Sequence, residues 1–124
     1  MTEKFFNLQD LSQGIARDLA DGVTTRIFLG DQAMLSLVQL EPGRESDVHS
    51  HPQEQWGVIL EGRGVRIQDG DEHQVTVGDF WRTLGGISHA FRAAPDGAKV
   101  LDIFSPPREE YRTTGPGVFS PVSG

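Results

Sequence analysis

The chain has 124 residues, no cysteine and a formal net charge of −7 at pH 7. This length suits one domain large enough to bury a hydrophobic core, so we expect a single domain over residues 1–124. Without cysteine, disulfides and thiolate chemistry are excluded, and histidine, carboxylate and amide groups remain as ligands. The acidic charge argues against nucleic acid and anionic membranes as partners. A small anionic ligand would need local arginines, for which the candidates are Arg26, Arg82, Arg92 and Arg108.

The N-terminal part of the chain predicts a cytoplasmic location and a short helix. It lacks the uninterrupted apolar core of a signal peptide, and no later run is long enough to span a bilayer. Four apolar residues recur at roughly helical spacing, namely Leu8, Leu11, Ile15 and Leu19. We therefore expect a short N-terminal helical segment within residues 7–20.

From residue 24 onward the sequence predicts an all-β domain. Short runs with period two, rich in β-branched and aromatic residues, are TTRIFLG, QAMLSLVQL, QWGVILEG, GVRIQDG, HQVTVGDFW, SHAFRAA and AKVLDIFS. Glycine and proline turn signals separate them, for example Gly62 and Pro95-Asp96-Gly97, as is typical of a barrel or sandwich of antiparallel strands. We expect the barrel core to cover about residues 24–105 and an irregular tail, residues 106–124, to lie over it.

The segment PGRESDVHSHPQEQWGVILEG predicts a metal site. His49 and His51 are two apart in an extended segment, so both side chains leave the same face. Gln55 begins the next run and shares a face with Gly57, whose small size predicts open space beside the site. His89 lies far downstream, and a closed barrel would return it to the other three residues.

Glu54 is the alternative to Gln55 as a ligand, although strand alternation would direct its side chain to the opposite face. An amide ligand leaves the charge of the ion unneutralised, which makes the ion a stronger Lewis acid than a carboxylate ligand would. We expect one divalent transition metal ion, and nickel, zinc, iron, manganese and copper all suit three imidazoles and an amide. His73 is interpreted as a structural histidine, and Trp56 and Trp81 are expected to pack in the core or at an interface.

Asp102, Phe104 and Arg108, in the run VLDIFSPPREEY, form a second candidate group. On an extended strand Asp102 and Phe104 face the same way, so an inward Phe104 would bury the carboxyl group and raise its pKa toward a range useful for proton transfer. Arg108 follows two prolines that stiffen the chain, and its guanidinium would suit a carboxylate at the barrel mouth. A salt bridge between Asp102 and Arg108, or a solvated Arg108, is the alternative.

The histidine pattern resembles the two motifs of the cupins. Their first motif is glycine, five residues, His-x-His, three or four residues, glutamate, six residues and glycine. The chain matches it, with glutamine in place of glutamate, at Gly43, His49, His51, Gln55 and Gly62. It matches the second motif at Gly78, Gly86 and His89, while Leu84 and Ala93 replace the usual proline and asparagine. The resemblance implies a cupin double-stranded β-helix, or jelly-roll, barrel in which His49, His51, Gln55 and His89 bind the metal.

Together with the Asp-x-Phe-Ser-Pro-Pro-Arg segment, this site resembles the KdgF-type cupins, which linearise unsaturated uronate monosaccharides released from pectin and alginate. The resemblance implies a redox-neutral, isomerase-type ring opening of a small anionic sugar, with Asp102 and Arg108 as the polar catalytic residues and Phe104 shaping the pocket. A metal-dependent dioxygenase and a non-catalytic cupin that binds a small molecule are the alternatives, because the fold hosts all three. Phe5 and Phe6 predict an edge that pairs with a second subunit, hence a homodimer.

Overall fold

The structure, a computed structural model, describes residues 4–109 and 115–116. These residues contain no α-helix and eight strands: β1 (Ile15–Ala20), β2 (Val23–Leu29), β3 (Met34–Leu40), β4 (Glu54–Gln68), β5 (Asp71–Thr76), β6 (Phe80–Thr83), β7 (His89–Ser105) and β8 (Gly115–Pro116). The strands pair in the order β5-β4-β7-β3-β2-β1-β8, and β6 also pairs with β4. The predicted all-β fold is confirmed. Across the described ranges, no helix has the length and apolar character needed to cross a bilayer.

The predicted N-terminal helix is wrong. Residues 7–14 form turns and bends, and Ile15–Ala20 is strand β1, which pairs with β2. Gly14 has a φ of 87°, a left-handed conformation that interrupts a right-handed helix. Ile15 and Leu19 are four residues apart, a spacing that puts side chains on one face of a strand as well as of a helix. The residue between them on that face is the buried Arg17, so the strand has no continuous apolar alternation.

Strands β4 and β7 are long, bent and paired with each other along most of their length. The sequence predicted breaks at Gly62 and at Pro95-Asp96-Gly97, yet both positions lie inside continuous strands. The register shifts between Ile59 and Glu61 and again between Gly62 and Gly64, so the turn signals mark bulges that bend the strands. Conversely, the predicted run HQVTVGDFW is divided into β5 and β6 by a turn at Gly78.

The bulges reverse the inward face of β4. Before them Gln55, Gly57 and Ile59 are buried, as the alternation predicted; after them Gly64 and Arg66 are buried. The parity of the buried positions therefore changes from odd to even within one strand. As a result, the second half of β4 directs a charged side chain, Arg66, into the barrel.

The core consists of two groups of buried apolar residues. The larger group is Val23, Val38, Leu40, Ile59, Val75, Phe91, Ala93, Ala98 and Val100, and the smaller is Ile27, Met34 and Phe104. Trp81 packs on the larger group and stacks on Phe91 at a ring distance of 5.9 Å, in agreement with its predicted packing role. Trp56, for which packing was also predicted, is not part of the core: it is exposed, and its indole N–H donates to the Glu54 carboxylate.

The C-terminal tail begins on the barrel, because Pro107 and Arg108 are buried. Beyond residue 109, the predicted tail lies outside the described residues apart from the short strand β8. At the other end of the chain, the Phe6 ring packs edge-on against Phe28 at 5.3 Å. The homodimer stays a prediction.

Candidate metal centre

Backbone pairing brings His49 and His89 together. The His49 N–H donates to the His89 carbonyl at 3.0 Å, and the His89 N–H donates to the His49 carbonyl at 2.8 Å. This antiparallel bridge joins the segment before β4 to the start of β7. Directly opposed residues project their side chains to the same side, and the two imidazole centroids are 4.3 Å apart.

His51 completes a cluster of three buried imidazoles. Its ring centroid lies 4.9 Å from that of His89 and 5.6 Å from that of His49. One potential ligand atom from each of the three side chains lies within 4.8 Å of the others. The three histidines predicted from the sequence are therefore gathered at one point, where they could hold a metal ion.

Backbone carbonyls fix the tautomer of each ring. The Nδ1 atoms lie 3.0, 3.1 and 2.9 Å from the carbonyl oxygens of Asp47, Gln53 and Ile87, respectively. A carbonyl can only accept, so each Nδ1 carries the proton and each neutral ring keeps its lone pair on Nε2. Carbonyl groups that orient ligating histidines in this way are usual around protein-bound metals.

Gln55, the second residue of β4, lies beside the histidine cluster. Its side chain is buried, and Oε1 lies 2.9 Å from Nε2 of His51. Hydrogen bonding by the Gln55 side chain also lowers the pKa of Asp102, which agrees with an NH₂ group directed toward Asp102 and an oxygen directed toward the histidines. Glu54 is exposed, as strand alternation predicted, and is therefore directed away from the cluster.

The donor atoms suit a cation. Since Nδ1 of His51 already donates to a carbonyl, its Nε2 lone pair faces the lone pairs of Gln55 Oε1, an arrangement that a positive ion would stabilise. Nε2 of His89 is buried and has no hydrogen-bond partner in the described part of the chain. Three imidazole nitrogens and an amide oxygen fit a divalent transition metal.

Burial keeps His49 and His89 neutral, as metal ligands must be. Desolvation lowers the pKa of His49 to about 3, and the nearby charges of Arg108 and Arg66 act in the same direction. Desolvation lowers the pKa of His89 to about 2, assisted first by the charge of Arg66. At neutral pH, both rings present lone pairs without prior loss of a proton.

Asp102, Phe104 and Arg108 line the same cavity as His49, Gln55 and His89. The Asp102 residue is only half-buried, but its Oδ1 atom is inaccessible and lacks a hydrogen-bond partner within the described ranges. Burial raises the pKa of Asp102 to about 6, while Arg66, the Gln55 hydrogen bond and Arg108 oppose the rise. No ion pair joins Asp102 to Arg108, so that alternative is not formed.

Arg108 and Phe104 form part of the cavity wall. Arg108 is 1% exposed, which excludes the solvated position that the sequence had left open for it. Its guanidinium carbon lies 5.7 Å from the centre of the Phe104 ring, and that ring lies 5.3 Å from the His51 ring. Phe104 therefore lies close to both the arginine and the His51 ring.

Two features of the cavity differ from the sequence-based expectation. The open space predicted beside Gly57 is filled, because a Cβ atom there would collide with the Trp81 indole. Arg66, which was not among the candidate arginines, lines the cavity. The cavity itself is about 50 Å³.

Fold and site together define a small antiparallel β-barrel protein with an inward-facing cluster of potential metal ligands. The family model of the cupin domain matches residues 36–104, more than half of the chain. The chain therefore belongs to the cupin domain family.

Solved structures show the same fold. An RmlC-like cupin from Shewanella frigidimarina is 24% identical with a TM-score of 0.76, covering 88% of this chain and 96% of that one. KdgF from Halomonas sp. is 22% identical with a TM-score of 0.77, covering 88% and 98%, respectively. Oxalate decarboxylase from Bacillus subtilis is 21% identical with a TM-score of 0.73, and the match covers 83% of this chain and 30% of that one. A search of curated protein sequences finds no significant match.

Proposed function

We propose that this cupin is a metal-dependent enzyme that opens the ring of 4,5-unsaturated uronate monosaccharides, without net oxidation. One observation carries the proposal: the carboxyl group of Asp102, whose Oδ1 atom is inaccessible, and the buried guanidinium of Arg108 line the same cavity as the ligand cluster. Together these groups provide a Lewis-acid site, a proton carrier and a positive charge for an acidic substrate. Likeness in fold to KdgF from Halomonas sp. supports the same assignment.

Asp102 is suited to move the proton. Its pKa of about 6 leaves both protonation states accessible near neutral pH, which efficient general acid–base catalysis requires. In the proposed reaction Asp102 takes the proton of the anomeric hydroxyl as the bond between the anomeric carbon and the ring oxygen breaks. It then returns a proton to the enol carbon, which leaves a ketone where the ring oxygen was attached. The product is an isomer of the substrate.

His49, His51, Gln55 and His89 would hold the metal ion. A divalent ion there supplies Lewis acidity toward the oxygens of the sugar. Arg108 contributes positive charge that attracts an acidic substrate, and Phe104 provides an apolar wall that limits access of water to the reacting carbons. Manganese centres are described for oxalate decarboxylase from Bacillus subtilis, and manganese is one of the metals we consider for this site.

The test is an anaerobic incubation of metal-loaded protein with freshly prepared 4,5-unsaturated galacturonate. Loss of the ultraviolet absorbance of the conjugated double bond is compared with the spontaneous rate. We expect acceleration without oxygen, and loss of that acceleration after removal of the metal with a chelator.

The variant Asp102→Asn separates proton transfer from metal binding. We expect its rate to fall to near the spontaneous value while its metal content stays the same, whereas the exposed control Asp31→Asn behaves like the wild type. Normal turnover by Asp102→Asn would remove Asp102 from the proposed role. If the wild type gives no acceleration but consumes oxygen with a small phenol or diketone, the protein is a dioxygenase instead.

A further inference from the structure

Arg66 is a buried cation that the proposed reaction does not yet use. It lies in the second half of β4 and is only 4% exposed. Its Nε donates to Gln68 Oε1 at 3.1 Å, its Nη2 donates to Thr83 Oγ1 at 2.9 Å, and its guanidinium carbon lies 5.5 Å from the centre of the Trp81 ring. These contacts hold the guanidinium in one orientation.

The hydrogen-bond partners of Arg66 are neutral. Both are uncharged oxygens, and Arg66 forms no ion pair with a carboxylate among residues 4–109. The two bonds leave other N–H groups of the guanidinium available. Buried charges in proteins are normally paired, because desolvation of a lone charge is costly. Asp102 is the nearby anion that interacts electrostatically with Arg66, but no ion-pair contact joins the two side chains. The rigid, buried guanidinium is therefore suited to bind a ligand that brings a second carboxylate.

Arg66 faces the same cavity as the candidate metal ligands. It lines that cavity with His49, His89 and Asp102. Its positive charge lowers the pKa of both His89 and Asp102, which is consistent with a position close to both groups. A carboxylate placed in the cavity would therefore lie near the guanidinium and the ligand cluster at once.

The cavity is small. Its volume of about 50 Å³ has room for a few water molecules, and hence for a carboxylate group rather than for a whole sugar ring. The size of the cavity and the positive charge of Arg66 therefore suit the carboxylate end of a ligand.

We propose that Arg66 binds the carboxylate of the substrate, so that the acid group enters the barrel beside the metal ligands while the sugar ring stays toward the mouth. This inference rests on the proposed metal-dependent reaction for the identity of the substrate, and it makes Arg66 the residue that selects an acid over a neutral sugar. Arg108 then faces the remainder of the ligand.

The test compares binding of D-galacturonate, a saturated acid without the reactive double bond, with binding of neutral D-galactose to zinc-loaded protein by calorimetry. We expect Arg66→Met to weaken galacturonate binding by about 10-fold to 100-fold, since a charge-assisted hydrogen bond has been removed. Galactose and zinc binding should not change. The exposed Arg82→Met is the matched control and should bind both sugars like the wild type.

Unchanged galacturonate binding by zinc-loaded Arg66→Met would overturn the inference. If that variant does not fold, nitrogen-15 NMR of the wild type provides the answer: on addition of galacturonate the Arg66 Nε–H signal should shift and the Arg82 signal should not. Galacturonate binding without an Arg66 shift would contradict the proposal. If Arg66→Met opens the ring with an unchanged KM, this inference is rejected and the proposed reaction stands. If galacturonate binding depends on Arg66 but the wild type does not open the ring, only the proposed reaction is rejected.

Discussion

At the scale of single residues, Gln55 and Asp102 form a matched pair. The Gln55 amide lies between the His51 ring and the Asp102 carboxylate, with its oxygen toward the ring and its NH₂ group toward the carboxylate. A glutamate at position 55 would place a second buried carboxylate against the first. Asp102 pairs with Gly57 of β4, and Gln55 is only two residues before Gly57. This proximity of Asp102 gives a reason why position 55 has glutamine where the cupin motif usually has glutamate.

We expect Gln55→Glu to destabilise the metal-free protein near neutral pH, because two adjacent buried carboxylates disfavour each other's ionisation. The free energy of unfolding, measured with urea, should fall by about 1–3 kcal/mol. Adding Asp102→Asn to this variant should recover most of the loss, because the carboxylate and amide then exchange places. The control is Glu54→Gln, a change at the exposed neighbouring residue, which should have little effect on the free energy of unfolding. Equal stability of Gln55→Glu and the wild type would contradict the pairing.

Sequence spacing was sufficient to predict that the four candidate ligands come together, but not that Arg66 lies beside them. His49, His51, Gln55 and His89 belong to a pattern whose members constrain one another. A single arginine in a strand belongs to no such pattern. Whether its side chain points into or out of the barrel depends on whether the in–out alternation of side chains continues unbroken along the strand. Counting by two from Gln55 places Arg66 outside the barrel; the bulges near Gly62 place it inside.

At the scale of elements, strand β6 is held against β4 by close contact between a glycine and an indole. Gly57 pairs with Trp81, and the indole lies where a side chain at position 57 would be. Trp81 in turn stacks on Phe91 and lies under the Arg66 guanidinium. This set of contacts links the β4–β6 ladder to the core and to the cavity wall.

We expect Gly57→Ala to lower the free energy of unfolding by about 1–3 kcal/mol, since the added methyl group forces a rigid indole to move. Chemical denaturation measures the loss, and the near-ultraviolet circular dichroism of the tryptophans should change. Gly70→Ala is the comparison, because it has open space but a φ of 85°. It should lose stability from backbone strain without the spectral change. A Gly57→Ala protein with native stability and spectrum would show that the indole contact is unimportant.

The N-terminal segment shows why element type was harder to predict than the site. Ile15 and Leu19 satisfy both periodicities, and the choice between them depends on Gly14 and on pairing with a strand that follows directly in the chain. The spacing of apolar residues does not show that φ of Gly14 is positive, and it does not show that a neighbouring strand is available for pairing. Pairing with β2 therefore decided the conformation of β1.

At the scale of the whole molecule, the buried histidines tie stability to pH. An unfolded chain would protonate His49 and His89 near their ordinary pKa of 6.5, whereas burial lowers these values to about 3 and about 2 in the folded protein. The folded state therefore binds fewer protons below pH 6.5, and stability is lost as the pH falls. Asp102, with its pKa raised to about 6, acts in the opposite direction, but it is one group against two.

We expect the metal-free protein to become less stable to urea between about pH 7 and about pH 5. The double variant His49→Gln/His89→Gln should show a smaller dependence on pH, while His73→Gln, which alters an exposed histidine, should keep the wild-type slope. Stability that stays constant or rises over this range would show that the buried rings do not resist protonation.

The central claim is that the three buried histidines and Gln55 form a metal site, and equilibrium metal binding tests it most directly. Metal-free protein is titrated with zinc or manganese in competition with a chelator, alongside His89→Ala and the exposed-site control His73→Ala. We predict one ion per chain for the wild type and the control, and an affinity at least about 100-fold weaker for His89→Ala, since even groups that only orient a ligand contribute about 10-fold to 100-fold. Equal affinity of His89→Ala and the wild type, or no binding by the wild type, would contradict the account.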